Sequence, residues 1–285
     1  MTTGIFVGLS TIDLIHSVDE FPSANTKAVA RSQEILVGGP ATNAAIAFSH
    51  LGGSAVLLTP VGRHTLGTLV KEELQSYGVS LVDLAPEFDM PPPVSSVWVN
   101  QLGDRTVVSV NATRLELPPP HVDRSILQHA NVVLVDGHSI EACGAWAEAA
   151  RGAEIPVVLD GGSWKPGTEQ LLRFVDTAIC SSDFRPPGCA NEDYAIEYLR
   201  SVGVRQIAIT KGAEPVRYMT GASSGTIEVP RVEVVDTSGA GDIFHGAFCF
   251  YTATGSSFVD SLRKAAEIAA KSCRFHGTRE WMSRQ

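Results

Sequence analysis

The stretch Val234-Val-Asp-Thr-Ser-Gly-Ala-Gly-Asp-Ile-Phe-His-Gly-Ala-Phe248 joins the end of an apolar, strand-like run to a helix-like apolar pattern. Its two glycines, Gly239 and Gly241, permit backbone angles and a close approach of a ligand that a side chain would prevent. The helix that follows offers N–H groups without an intrahelical partner and the positive end of its dipole. The stretch therefore predicts an anion site, suited to phosphate, formed by the backbone around Gly239, Ala240 and Gly241.

Asp242 is the unexpected member of this stretch, because a carboxylate beside a phosphate site repels the phosphate. Proton abstraction from a hydroxyl that attacks phosphorus would explain its presence. The alternative is a glycine-rich turn in which Asp236 or Asp242 only caps a helix. A short glycine pattern by itself leaves both interpretations open.

The longer string Asp-Thr-x-Gly-Ala-Gly-Asp-x-Phe, from Asp236 to Phe244, resembles the anion-hole and catalytic-base motif of the ribokinase-like (PfkB) carbohydrate kinases. The resemblance implies a three-layer α/β/α fold with a mainly parallel central sheet and a small β-sheet lid, in a single domain of residues 1–285. It also implies a kinase that transfers the γ-phosphoryl group of ATP, with Mg²⁺, to a sugar hydroxyl. Asp242 would be the general base.

Composition narrows the class of protein. With 285 residues and a formal net charge of −9, the chain can form one large core and is too acidic to be a general binder of nucleic acid or anionic membrane. The N-terminal Met-Thr-Thr-Gly-Ile-Phe-Val indicates a first strand and not a signal peptide, and no apolar run is long enough to cross a bilayer. The five scattered cysteines disfavour a disulfide framework, so we expect a reducing cytoplasm.

Two short segments predict the sugar-binding side of the site. Asp13 follows an apolar strand, at the end where open α/β sheets bind ligands, although Asp also favours turns. The pattern Gly38-Gly39-x-x-x-Asn43 precedes a helix, and the Asn43 amide can donate and accept hydrogen bonds. Taken alone, it is equally a glycine turn followed by a polar residue. Both segments resemble family motifs, which implies that Asp13, Gly38, Gly39 and Asn43 hold the sugar.

Residues 14–37 and 94–112 show strand-like alternation outside the regular helix–strand pattern. Gly103-Asp104 is a turn signal, so the second segment is a predicted hairpin, and the two segments together predict a small separate sheet. In the family that the chain resembles, such a sheet is a lid over the sugar and often carries the dimer contact. The resemblance therefore implies a homodimer formed through this sheet.

In the second half of the chain, helical patterns alternate with strongly apolar strands, which indicates a parallel sheet covered by helices. Asp136 and Asp160 follow two of these strands, and such residues more often form caps or turns than bind ligands. Lys211, followed by Gly212, is a compact cation and a candidate phosphate contact. Arg105 by itself indicates an edge charge, but Gly-x-Arg-Thr resembles the ketohexokinase branch, in which the arginine reaches ATP.

The resemblance also implies a nucleotide site and two ion sites. The ATP-binding residues would be Arg105, Lys211, Gly212 and Gly241. The family's monovalent-cation site, for K⁺, would involve Asp236, Ser238, Ser272 and Gly277. The family's magnesium motif Asn-x-x-Glu is replaced here by Ser-Ser-Asp-Phe, from Ser181 to Phe184. Either Asp183 substitutes for it, or Mg²⁺ rests mainly on nucleotide oxygens and water.

The sequence thus predicts an ATP-dependent sugar kinase, with two alternatives. One is a nucleoside kinase of the same family, for which Trp98 is the candidate wall for the base. The other is a non-catalytic sugar- or nucleotide-binding regulator, which the altered 181–184 segment favours. A Rossmann dehydrogenase is disfavoured because no Gly-x-Gly-x-x-Gly follows the first strand. A P-loop kinase is disfavoured because no Gly-x-x-x-x-Gly-Lys-Ser/Thr occurs.

Overall fold

The computed structural model describes residues 2–102, 104–110, 117–221 and 223–283, and within these ranges the chain forms thirteen strands and seven α-helices. The strands are β1 Thr3–Val7, β2 Thr11–Ser17, β3 Ser32–Gly38, β4 Ser54–Thr59, β5 Val79–Asp83, β6 Val94–Val99, β7 Arg105–Ser109, β8 Val132–Val135, β9 Val157–Gly161, β10 Thr177–Ser181, β11 Gln206–Lys211, β12 Glu214–Thr220 and β13 Ser223–Ile227. The helices are α1 Pro40–His50, α2 Thr65–Ser76, α3 Ile140–Gly152, α4 Thr168–Leu171, α5 Glu192–Ser201, α6 Ala240–Ala253 and α7 Phe258–Ser272.

A nine-stranded sheet lies at the centre, in the order β13-β12-β11-β10-β9-β8-β1-β4-β5. The seven strands from β11 to β5 run parallel, and β12 and β13 extend the β11 edge antiparallel. Strands such as Val132–Val135 are buried at each residue, because helices cover both faces. The predicted three-layer α/β/α arrangement with a mainly parallel sheet is therefore confirmed.

Two apolar clusters fill the space between the sheet and its helices. One cluster contains Phe6, Phe48 and Phe248 and joins the sheet to α1, α2, α6 and α7. The other contains Trp146 and Ile5 and joins the opposite face to α3, α4 and α5. Burial of each large side chain is worth roughly 1.5–3 kcal/mol, so these clusters fix the helices on which the polar residues of the site lie.

A separate four-stranded sheet, which we call the small sheet, has the order β3-β2-β6-β7. β2 pairs antiparallel with β3 and parallel with β6, and β6 pairs antiparallel with β7. Strands β3, β6 and β7 come from the two segments predicted to form a small sheet, whereas β2 begins at Thr11, three residues before the first segment. Gly103 and residues 111–112 of those segments lie outside the described residues. Asp13 lies within β2, so its interpretation as a turn residue is wrong.

The helical patterns in the second half of the chain include residues 123–129 and 168–175, and at both places the structure differs in detail from the predicted helix. Residues 124–129 form a 3₁₀ helix, which the Asp123 carboxylate caps by accepting the Ser125 N–H at 2.9 Å. The helix expected over 168–175 is one α-helical turn, Thr168–Leu171, that tightens into the 3₁₀ turn Leu172–Phe174. The helix ends there because Val175 is already extended, with φ −87° and ψ 127°, and leads into β10 at Thr177. None of the helices in the described part of the chain is long and apolar enough to cross a membrane.

Candidate active site

The first turn of α6 carries the predicted anion site. Gly239 precedes the helix with φ +65°, a left-handed conformation that favours glycine. A Cβ on Gly239 would lie 2.5 Å from the Thr278 Cγ2 atom, whereas a Cβ on Gly241 would meet nothing within 4 Å. The Ala240 N–H donates to the Thr237 carbonyl at 3.3 Å, a long hydrogen bond. The N–H groups of Gly241 and Asp242 come next in this first turn. They have no acceptor within the helix and can therefore bind an anion.

Asp242 lies in this same turn, and its Oδ2 atom accepts a hydrogen bond from Asn43 Nδ2 at 2.7 Å. Part of the residue stays accessible to solvent. The surrounding protein nevertheless crowds the carboxyl, so that burial, followed by the negative charge of Asp160, raises the pKa of Asp242 to about 7. A carboxyl that ionises near neutrality is suited to accept a proton from a substrate hydroxyl. The interpretation of Asp242 as only a helix cap is not supported, because its hydrogen bond goes to α1.

Asn43 lies in α1 and is held at both ends of its amide. Its Nδ2 donates to Asp242, and its Oδ1 accepts from Arg279 Nη1 at 2.8 Å. These two bonds fix which end of the amide faces the carboxylate. Gly39, just before α1, has φ +100°, and a Cβ there would lie 2.3 Å from the Leu9 carbonyl oxygen. The glycine thus lets α1 begin directly against the end of the first strand.

Asp13 is half-buried on β2, and its Oδ1 accepts the Thr11 hydroxyl at 3.1 Å. A Cβ on Gly38 would lie 2.2 Å from Asp13 Oδ2, so glycine at position 38 makes room for the carboxyl. Burial raises the pKa of Asp13, while hydrogen bonds from Ser95 and Thr11 and the charge of Arg279 lower it. The predicted sugar-binding residues are therefore brought to one region, beside the first turns of α1.

Arg279 was missed by the sequence analysis. Its guanidinium donates to Glu73 Oε1 at 3.1 Å, to the Val37 carbonyl at 2.8 Å and to Thr278 Oγ1 at 2.8 Å, in addition to Asn43. The charge of Arg279 acts on Asp13, and that of Asp242 acts on Arg279, so the guanidinium is electrostatically linked to both carboxyl groups. No local pattern marks a lone arginine after Gly277 as anything but a surface charge.

Asp136 follows β8, whereas Asp160 lies within the neighbouring strand β9, so the interpretation of Asp160 as a cap or turn residue is wrong. Asp136 accepts N–H groups from Leu9 at 2.8 Å, His138 at 2.9 Å and Ala41 at 3.3 Å, which confirms its interpretation as a cap and turn residue. Asp160 is buried, and its Oδ2 lies 3.4 Å from His245 Nδ1. Burial raises the pKa of Asp160, and the charge of His245 opposes that shift. Sequence analysis did not mark His245, because it directly follows the Asp236–Phe244 motif, inside a helical apolar pattern.

The predicted nucleotide-binding residues lie at two places. Arg105, on the small sheet, reaches the turn before α6 and donates from Nη1 to Ser238 Oγ at 3.1 Å. Lys211, at the end of β11, pairs with Glu214 at 3.1 Å on the surface, and Gly212 follows with φ +57°. The structure thus connects Arg105 to the α6 turn. Lys211, at the end of β11, has no contact to that turn among the described interactions.

Three of the four predicted cation-site residues meet at Asp236. Its Oδ1 accepts the Ser238 N–H at 2.8 Å, and its Oδ2 accepts the Gly277 N–H at 2.9 Å. Burial raises the pKa of Asp236, but these hydrogen bonds and the charge of Arg105 outweigh burial and hold it below its usual value. Ser272 lies at the end of α7, where its hydroxyl donates to the Ala269 carbonyl at 2.8 Å.

The segment Ser181–Phe184 forms a tight turn. Ser181 Oγ donates to the Gly162 carbonyl at 2.8 Å and accepts the Asp183 N–H at 3.0 Å. Phe184 is buried against Trp164, whereas Asp183 is exposed. The turn therefore presents a single carboxylate to solvent. Among the described residues there is no group of three or more His, Cys, Asp or Glu side chains arranged to hold a metal ion.

The register of the small sheet separates its two faces. Asp13 pairs with Ser95, whereas Trp98 pairs with His16, three residues further along each strand. Because side chains alternate along a strand, Trp98 projects from the face opposite Asp13, where its Nε1 donates to Ser96 at 3.1 Å. Trp98 therefore does not border Asp13, and its predicted role as the wall for a nucleoside base is wrong.

Comparison with known proteins decides the family. The family model described as pfkB family carbohydrate kinase matches residues 1–284. The chain belongs to this family. It is therefore grouped with phosphotransferases that use an alcohol group as acceptor, as the Asp236–Phe244 motif predicted.

Individual relatives support the assignment at low identity. The ribokinase of Bacillus subtilis is 23% identical over 273 residues, which cover 94% of this chain and 92% of that protein. The ketohexokinase of Mus musculus is 23% identical over 300 residues, covering 95% and 96%. The structure of Arabidopsis thaliana ribokinase complexed with ribose and ATP has a TM-score of 0.76 and 21% identity, covering 100% of this chain and 99% of that one. These likenesses confirm the ribokinase-like fold.

Proposed function

We propose that the protein transfers the γ-phosphoryl group of ATP to a hydroxyl of a small carbohydrate, with Asp242 as the general base. The observation that supports this most is the position of the Asp242 carboxyl, in the first turn of α6 beside Gly241 and held by Asn43. Burial raises its pKa to about 7, so at physiological pH a large fraction is ionised and able to take a proton.

In the proposed reaction, the attacking hydroxyl gives its proton to Asp242 while the N–H groups of the first α6 turn hold the charge on the phosphoryl group. A preorganised anion site of this kind is typically worth about 3–4 kcal/mol per donor in the transition state. Gly239, Ala240 and Gly241 form the turn. Beyond this positioning, an in-line phosphoryl transfer requires little chemistry from the protein.

The sugar would be bound by Asp13, Gly38, Gly39 and Asn43. The Asp13 carboxylate can accept hydrogen bonds from hydroxyl groups. Asn43 uses one Nδ2 hydrogen for Asp242 and one Oδ1 lone pair for Arg279, which leaves a second hydrogen and a second lone pair for a substrate. The same amide would thus connect the bound hydroxyls to the base.

On the nucleotide side, Arg105, Lys211, Gly212 and Gly241 would contact ATP. The link from Arg105 to Ser238 supports a guanidinium beside the transferring phosphate. Mg²⁺ would supply charge neutralisation on the phosphates when bound with ATP. The exposed Asp183 carboxylate fits a contact to that ion through water, because Mg²⁺ usually keeps several of its waters.

A K⁺ site formed by Asp236, Ser238, Ser272 and Gly277 is part of the proposal. The depressed pKa of Asp236 keeps its carboxylate charged, and each oxygen retains a lone pair beyond the N–H that it accepts. Hard oxygen donors of this kind suit a monovalent cation. The segments that carry these residues meet where the Val235 N–H donates to the Cys273 carbonyl at 2.8 Å.

We further propose that residues 1–285 act as one domain, with the small sheet as a lid over the sugar. Asp13 and Arg105 lie on the same face of that sheet, since Asp13 pairs with Ser95 and Arg105 with Val99. The opposite face exposes apolar side chains, among them Ile35 and Val108. Two copies that pair through this face would form a homodimer and leave the inner face free for ligands. The net charge of −9 supports small-molecule ligands without nucleic acid or membrane partners, and the five scattered cysteines support a cytoplasmic enzyme.

The first experiment measures ADP release with Mg-ATP across ketoses, aldoses, sugar acids and nucleosides, with and without K⁺. We expect one class of acceptor to stimulate turnover. Asp242→Asn should retain ATP binding and lower kcat about a hundredfold or more. Asp260→Asn is the matched control, because Asp260 is an exposed carboxylate in the first turn of α7, which follows the far end of α6.

Two outcomes would contradict the proposal. Full turnover by Asp242→Asn would show that Asp242 is not the general base. Binding of sugar or ATP by calorimetry without any turnover of the wild-type protein would instead favour a regulator, and would direct attention to the altered Ser181–Phe184 turn.

A further inference from the structure

Both ring nitrogens of His245 lie within hydrogen-bond distance of a backbone carbonyl oxygen. It lies one turn after Gly241 on α6, and its side chain is buried. The ring Nδ1 lies 2.7 Å from the Gly241 carbonyl oxygen, and the ring Nε2 lies 3.1 Å from the Ile179 carbonyl oxygen in β10. The imidazole thus bridges the first turn of α6 and the central sheet.

Both partners of His245 are carbonyl oxygens, which only accept hydrogen bonds. A neutral imidazole has one N–H, so its other nitrogen would present a lone pair to a carbonyl oxygen. The doubly protonated ring satisfies both contacts. A buried positive charge requires a counter-charge, and Asp160 Oδ2 lies 3.4 Å from Nδ1 with no hydrogen-bond partner of its own among the described residues. The geometry is that of a buried ion pair.

We propose that His245, doubly protonated and paired with Asp160, holds the first turn of α6 against β10 and sets the electrostatic environment of the Asp242 carboxyl. Both are positioning residues, since neither is placed to touch the reacting atoms. The proposal deepens the proposed function and rests on it for its catalytic meaning, but its structural content can be tested without turnover.

The contact to Gly241 has a direct consequence for the anion site. The Gly241 carbonyl and the Asp242 N–H belong to the same peptide plane. A charged donor on that carbonyl fixes the orientation of the plane. The charged donor also polarises this peptide group, so that the Asp242 N–H becomes a stronger hydrogen-bond donor. His245 would thereby orient and strengthen one of the N–H groups offered to the phosphoryl group.

The pair also acts on the base through its charges. Asp160 is the largest electrostatic cause, after burial, of the raised pKa of Asp242, and the charge of His245 opposes it. Other charged groups face these two residues from neighbouring elements, and they stay unchanged in the variants below. Around Asp242 they are Asp136 and Arg279, and around Asp160 they are Asp136, His138 and Lys165.

The first test is direct and needs no activity. The two ring ¹⁵N resonances of His245, assigned by their loss in His245→Asn, are followed in the wild-type protein from pH 6 to pH 8. We expect both nitrogens to keep protonated-type shifts at pH 8, where a solvated histidine with a pKa near 6.5 is neutral. His129, which is exposed, serves as the internal control. A neutral tautomer at His245 at pH 8 would overturn the proposal.

The second test follows the Asp242 carboxyl with ¹³C-labelled aspartate, assigned by its loss in Asp242→Asn. In Asp160→Asn we expect the Asp242 midpoint to fall by at least about one pH unit, because a negative neighbour is removed while the imidazolium stays. In the double variant with His245→Asn the midpoint should return toward the wild-type value. A midpoint in Asp160→Asn within a few tenths of wild type would refute the coupling.

The two levels of the hypothesis can fail separately. If the protein releases no ADP with any acceptor, the proposed function fails, while the nitrogen and carboxyl titrations still decide the ion pair. If the protein is an active kinase, the acidic limb of its kcat/KM profile should shift in Asp160→Asn in parallel with the carboxyl midpoint. If the Asp242 midpoint shifts while the acidic limb of the kcat/KM profile stays unchanged, Asp242 is not the group whose ionisation controls the rate. His129→Asn should leave both profiles unchanged.

Discussion

Gly239 and Gly241 form a natural pair for testing the α6 turn, because the structure predicts opposite results for alanine at the two positions. Gly239 has φ +65°, and a left-handed conformation costs a residue with a Cβ roughly 1–2 kcal/mol. The new Cβ would also lie 2.5 Å from Thr278 Cγ2, and overpacking of this kind costs about 1–3 kcal/mol. We expect Gly239→Ala to lower the free energy of unfolding by about 2–5 kcal/mol. The displaced Thr278 would move Arg279 with it, and through Arg279 the amide of Asn43.

Gly241 should behave differently. A Cβ there meets no atom within 4 Å, and the residue lies in a helix, where alanine is favoured over glycine by roughly 0.5–1 kcal/mol. Gly241→Ala should therefore be as stable as the wild type or slightly more so. If the transferring phosphoryl group contacts this backbone, the methyl group blocks that approach, and kcat should fall about a hundredfold or more.

The assays are urea unfolding, followed by circular dichroism, and initial rates of ADP release with the acceptor identified in the panel. Gly241→Ala then isolates function from stability. Full turnover by this variant would show that the phosphoryl group does not approach the Gly241 backbone. Gly239→Ala with wild-type stability would show that the backbone strain and the contact with Thr278 have been overestimated.

Three further predictions concern the charges of the site. Because burial, and then Asp160, raises the pKa of Asp242 to about 7, kcat/KM should rise with pH through about 7. The unfolded chain releases this proton near pH 4, so the group's contribution to the unfolding free energy should decline between about pH 4 and 7, measured as the difference between wild type and Asp242→Asn in urea unfolding. Arg279→Met should lower the unfolding free energy by about 3 kcal/mol, because it leaves the Glu73 carboxylate unpaired, and adding Glu73→Gln should recover part of the loss. Arg105→Ala should raise the KM for ATP about tenfold, which is the scale of one hydrogen bond to a charged group. The control Arg63→Ala, at an exposed arginine, should leave the KM for ATP unchanged. If the two variants have equal KM values, Arg105 is not part of the nucleotide site.

The central sheet and the α6 turn could be predicted from the sequence because local pattern determines both. Four-residue apolar strands such as Val132–Val135 indicate burial on two faces, and the Asp236–Phe244 string specifies a turn, a helix start and a carboxylate together. The small sheet was predictable from its alternation. Which of its faces a residue occupies was not, because that depends on the register with a partner strand. This is why Trp98 was placed on the wrong side.

The rest of the site was hidden because it depends on contacts between distant segments. Arg279 acquires its role only when β3, α1 and α2 meet around it. His245 becomes notable only when Ile179 and Asp160 are brought to its two nitrogens. Single residues of this kind carry no spacing or periodicity that a sequence pattern could detect.

The hydrogen bond between Asn43 and Asp242 joins residues 199 positions apart, and the bond between Arg279 and Asn43 spans 236 positions. Contacts of such separation close large loops and tend to form late in folding. A partly folded chain could hold much of its secondary structure and still have no acceptor site. Acceptor affinity is therefore a property of the completed fold. A ligand that binds there stabilises only that state, by RT ln(1 + [L]/Kd), so the acceptor would also protect the enzyme from unfolding.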